Sequence, residues 1–139
     1  MLAPLQHAHQ GLGYLIFALS LVGFVLGLLG AGDKPQLAAI LDRVHRIGLL
    51  NVGRVNVVLG IALLVVMNSQ AGYSLLRPGL WAGLLLWGPI EVIGKRKVTA
   101  FVRNAEGGHR RDVLIGTAVQ LLLVVAIYGL MTMTRLGKI

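Results

Sequence analysis

The chain alternates long apolar stretches with short charged linkers. Gln10–Gly32 contains no Asp, Glu, Lys or Arg. At about 1.5 Å rise per residue, Gln10–Gly30 makes a helix of roughly 31 Å, the hydrocarbon thickness of a bilayer. Ile47–Met67 has the same length but carries Arg54, and Pro78–Gly94 is shorter and holds Pro89 and Glu91. Val113–Thr134 is again uncharged. The pattern predicts four spanning helices over 10–30, 47–67, 78–94 and 113–134. Gly30-Ala31-Gly32-Asp33 should stop the first helix, with Asp33 near an N-cap and Pro35 in the next first turn. Gln36–Arg46 reads as helix that can run on into the second span. Lys95–Glu106 reads as a helical extension ended by Gly107-Gly108, and Asp112 can cap the fourth helix. Leu2–Gly30 reads as a retained helix, because its start lacks Lys and Arg and its apolar run exceeds a leader's core. The expected fold is a single all-α domain over 1–139, an integral membrane four-helix up-down bundle.

Composition strengthens this picture. Of 139 residues, 56% are hydrophobic and 13% charged, too few ionic groups to cover a water-soluble globule. There is no cysteine, which removes disulfides, thiolate metal sites and cysteine nucleophiles. The net charge of +8 would suggest nucleic acid in a soluble protein, but here the cations sit between apolar segments and no reading module is present. Lys34, Arg43, Arg46, Lys95, Arg96, Lys97, Arg103, Arg110 and Arg111 fall in two linkers on one side; Arg77, Arg135 and Lys138 fall on the other. The bias puts both basic linkers in the cytoplasm and both termini outside, in a bacterial inner membrane. Tyr14, Tyr73, Trp81 and Tyr128 would then mark the outer interface.

Small residues at helical spacing mark close approach between membrane helices. Gly23 and Gly27 (continued by Ala31), Gly53 and Gly60, and Gly79 and Gly83 form three such stripes. They either close the bundle on itself or dock another protein's helix. Asn51, Arg54, Asn56 and Glu91 are expected to form a polar cluster inside the cytoplasmic half. That cluster has three readings: a structural ion pair between helices two and three; Arg54 reaching lipid phosphate while Glu91 pairs with Lys95; or a proton, ion or quinone-related site. His7 and His9 sit before the first expected span, and two ligands at spacing two are poor evidence for a metal site. His45 and His109 sit at helix ends, and a haem b would have to use them. Lys95, Arg96, Lys97, Arg103, Arg110 and Arg111 hold the linker inside and can bind anionic headgroups such as cardiolipin. No nucleophile elbow, phosphate loop, zinc-protease motif or carboxylate pair occurs, so no enzyme activity, metal or cofactor is expected.

Leu5-Gln-His-Ala-His9-Gln-Gly-Leu-Gly-Tyr14 and Trp87-Gly-Pro-Ile-Glu91 before Gly94-Lys-Arg-Lys97 resemble stretches of small four-span bacterial membrane proteins. Some of these are grouped with cytochrome b-like or SirB-like proteins. The resemblance implies the four-span layout. The intramembrane histidines of a haem-binding relative are replaced here by Asn51 and Arg54. By size and layout, the expected role is an accessory or structural subunit packing on other transmembrane subunits of a larger complex, such as a respiratory or other energy-transducing assembly. The alternatives are a small oligomeric transporter or channel component with an Arg54–Glu91 path, and a haem b redox protein.

Overall fold

A computed structural model describes residues 2–31, 33–71, 78–99 and 110–135. Among these, everything except the bend at 29–34 is helical, with no strand. α1 spans Leu2–Leu28. α2 (Pro35–Asp42) runs through a π-helical segment, Arg43–Leu50, straight into α3 (Asn51–Ala71). α4 (Pro78–Ile93) likewise continues into a π-helical segment, Gly94–Thr99. α5 spans Arg110–Arg135. Ala3–Leu28, Pro35–Ser69 and Arg110–Met133 are long and apolar enough to cross a membrane. These three are compatible with a membrane protein. The third predicted span, α4, is 16 residues long as an α-helix and contains Pro89.

Several boundaries differ from expectation; among them, α3 runs past Met67 to Ala71, and α5 starts at Arg110, so Asp112 lies inside its first turn and is not its cap. α1 starts eight residues before Gln10, because Pro4 is tolerated in a first turn and nothing after it breaks a helix. The N-cap of α2 is Lys34, not Asp33, with Pro35 at the first helical position. The stop of α1 is a Schellman closure. Gly30 takes φ 97°, the Ala31 amide donates to Leu26 O at 3.0 Å, and the Gly30 amide to Gly27 O at 3.2 Å. Only glycine enters that φ without strain. Asp112 lies in the first turn of α5, where a carboxylate complements the helix dipole, and Lys97 Nζ donates to it at 3.5 Å.

Neighbouring rods run antiparallel. Gly27 near the end of α1 meets Thr117 and Leu114 near the start of α5, while Gly83 early in α4 meets Met131 late in α5. α1 packs along α3 and α5, and α5 along α4; α3 and α4 touch sparsely. Two hydrophobic clusters hold the rods together. Leu26, Ala31, Ala38, Leu41, Val98 and Val113 close the end where the linkers emerge. Ile16, Leu49, Leu50, Trp87, Ile90 and Val124 fill the middle. Beyond Trp87, toward the termini, no described residue of 3–15, 57–69, 81–86 or 125–133 is buried.

Candidate functional site

That unfilled half contains a cavity of about 440 Å³, lined by α1, α3, α4 and α5. Its volume falls within the range of small-molecule sites. Glycines open it. Gly13, Gly53, Gly60 and Gly83 all line it, so four turns contribute no side chain.

Trp87 is the floor. A Cβ on Gly53 would overlap its ring, so the outer edge of the indole rests against the α3 backbone there. Its Nε1 donates to Glu91 Oε1 at 3.0 Å, one turn further along α4. Arg54 Nε donates to the same oxygen at 2.8 Å, tying α3 to α4 across their sparse seam. The sequence places Asn51, Arg54, Asn56 and Glu91 together inside the bundle; the structure divides them. Arg54 and Glu91 pair on the outer flank, with 58% of the Arg54 side chain exposed, because Trp87 occupies the space between the rods. Asn51 is exposed and joins nothing in that group. Asn56, only 9% exposed, points the other way, toward α1.

The α1–α3 wall is built from interlocking polar and glycine positions. Asn56 lies over Gly13, and His9 lies over Gly60, where a Cβ would come within 3.1 Å of the imidazole. Asn56 Oδ1 and His9 Nδ1 are both buried, and neither has a hydrogen-bond partner. A buried polar atom left unpaired costs about 1–3 kcal/mol, so both are unusual inside a native fold. His9 was not expected here. Starting α1 at Leu2 carries it into the rod, while His7, two residues earlier on a 100°-per-residue helix, is exposed on a different face. His7 and His9 therefore do not converge on one ion.

Below the floor the His45–Gln120 node is satisfied, whereas Asp42 Oδ1 at the end of α2 is buried without a hydrogen-bond partner. His45 and Gln120 are both 2% exposed. Gln120 Nε2 donates to Ile90 O at 3.0 Å and meets His45 Nε2 at 2.8 Å. Gly94 admits both, since a Cβ there would lie 2.5 Å from the imidazole and 2.6 Å from the amide. The two π-helical segments bring His45 and Gly94 to this node; such wide turns are rare and concentrate at places where side chains must be re-aimed. Thus His45 faces Gln120, and its proposed partner His109 lies outside the described residues, as does Arg103. Gln120, the residue that organises the node, carries no signal in sequence beyond being an amide in an apolar run.

Each predicted stripe glycine with described surroundings faces another rod of the same chain, whereas Gly11, Gly88 and Gly129, outside those stripes, have nothing within 4 Å. Gly23 meets Leu41, Gly27 meets Thr117, Gly53 meets Trp87, Gly60 meets His9 and Gly83 meets Met131. The surroundings of Gly79 lie outside the described residues. The cations gather at the linker end: Lys95, Arg96 and Lys97 are exposed, as are Arg110 and Arg111. Arg110 also donates to Leu28 O at 3.2 Å, placing a cation on the carbonyl end of α1. No protein-family model, curated protein or solved structure matches the chain.

Proposed function

We propose that this chain is a non-catalytic integral membrane protein, a four-helix up-down transmembrane bundle with both termini on the non-cytoplasmic side. In this reading it holds a small membrane-dissolved molecule between its helices. The observation that carries the reading is the cavity of about 440 Å³ with two unpaired polar atoms in its wall. Sites of this kind, mostly apolar with a few placed polar groups, are where helix bundles bind ligands. The cavity is blind: Trp87 floors it, and Leu41, Val98 and Val113 close the far end without exposure. A blind pocket suits retention more than an Arg54–Glu91 transport path.

Service as an accessory subunit of a larger inner-membrane complex is compatible with this reading and has less geometric support. The described glycine stripes are used inside the molecule, leaving none of them outward for a partner helix. Anionic-headgroup binding by Lys95, Arg96, Arg110 and Arg111 is the accompanying proposal for the cytoplasmic face.

Native mass spectrometry of the full chain, released from mild detergent, tests the binding reading. A retained small molecule is expected, lost when Val57→Trp drops an indole into the cavity. A bare chain in every detergent, with no difference between the two proteins, would count against it.

A further inference from the structure

We infer that the occupant is an uncharged amphiphile whose headgroup hydroxyl donates a hydrogen bond to Asn56 Oδ1. This rests on the binding reading above and adds the chemistry of the ligand. Asn56 is more than nine-tenths buried and lines the cavity, and its carbonyl oxygen, itself shielded in the wall, has no donor. His9 Nδ1 is a second unpaired atom on the same wall, about one helical turn (~6 Å) away along the rods. A neutral imidazole nitrogen accepts or donates, and a hydroxyl does both, so one headgroup type serves both positions.

Charge is disfavoured for a separate reason. The described lining has no carboxylate, lysine or arginine. The ions beside the Trp87 floor, Arg54 and Glu91, already neutralise each other on the outer flank. An ionised headgroup would enter apolar surroundings without a counter-charge. The apolar tail has a route as well: Ile61 on α3 and Leu84 on α4 line the cavity and are exposed, and these two rods meet only sparsely.

Both tryptophans of the chain line the cavity, so fluorescence reports its occupancy. The experiment uses the full chain carrying Trp81→Phe, which leaves the buried Trp87 as the reporter. It is titrated in detergent with a mid-chain-brominated octadecanol, its methyl ether, and the corresponding carboxylate. The alcohol should quench saturably and bind about tenfold tighter than the ether, the loss expected for one hydrogen bond to a buried acceptor. Asn56→Leu should erase the alcohol–ether difference while ether binding persists. His9→Leu, at a less buried position, should reduce the difference and guards against misfolding of the first variant. Equal affinity of alcohol and ether in the parent chain overturns the hydroxyl assignment, and tightest binding of the carboxylate overturns the uncharged one. Absence of saturable quenching by all three overturns the binding reading itself.

Discussion

At the linker end of the molecule Leu41, Val98 and Val113 are wholly shielded, and at the other end no described residue is. The rods are the same in both halves; their glycines differ in what faces them. At the linker end Gly27 receives Thr117, Gly94 receives His45 and Gln120, and Gly116 receives Lys97 and Val98. Each missing side chain is filled by a neighbour's, giving close-packed layers. At the terminal end all three of Gly13, Gly60 and Gly83 line the cavity: Gly13 has only Asn56 at 4.0 Å, Gly60 meets a half-buried histidine, and Gly83 meets the flexible tip of Met131. Small residues permit close approach, but they make a core only where a partner side chain occupies the space they leave.

The contrast can be broken by mutation. Leu41→Ala should have the largest effect, about 2–5 kcal/mol of lost stability in denaturant unfolding, because the surrounding layer cannot collapse. Leu64→Ala, in the cavity wall, should stay within about 0.5 kcal/mol. Equal losses would mean that the two halves are packed alike. Gln120→Leu should come next, at about 2 kcal/mol, by removing the buried amide that donates to the Ile90 carbonyl and meets His45 Nε2. Gly53→Ala should cost about 1–3 kcal/mol by forcing Trp87 off the α3 backbone, with a shift in tryptophan emission as its signature. An unchanged spectrum would show that the ring does not rest there.

Glu91→Gln should be milder, about 1 kcal/mol or less. A glutamine still accepts from Trp87, and the outward-facing Arg54 can extend toward polar headgroups instead. A loss of membrane insertion would show that this arginine has no such escape. Asn56→Leu should be the smallest and of unusual sign: unchanged or slightly raised stability, since it removes an unpaired buried carbonyl oxygen. Stability gained at the expense of ligand binding is what a functional residue shows when it is removed. A clear destabilisation would make Asn56 a structural residue.

The apolar stretches, their lengths and the glycine stop at Gly30 were legible because each depends on local composition and backbone sterics. The Arg54–Glu91 pairing was legible too, from two charges at similar depth on successive helices. Their outward placement was not, because it depends on Trp87 filling the gap over Gly53. His9 was hidden by a helix start that polar residues such as Gln6 and His7 do not announce. Gln120 and His45 meet across 75 positions of sequence, through two π-helical turns that no periodicity marks.

Sequence alone determined that this chain is helical, where its helices run, and which few polar residues they carry, because apolar run length and linker charge are one-dimensional properties. Which glycines are filled, which polar atoms find partners and where space remains were decided by tertiary packing. Those outcomes depend on how four rods rotate against one another, and a turn of one helix exchanges a paired amide for an open wall.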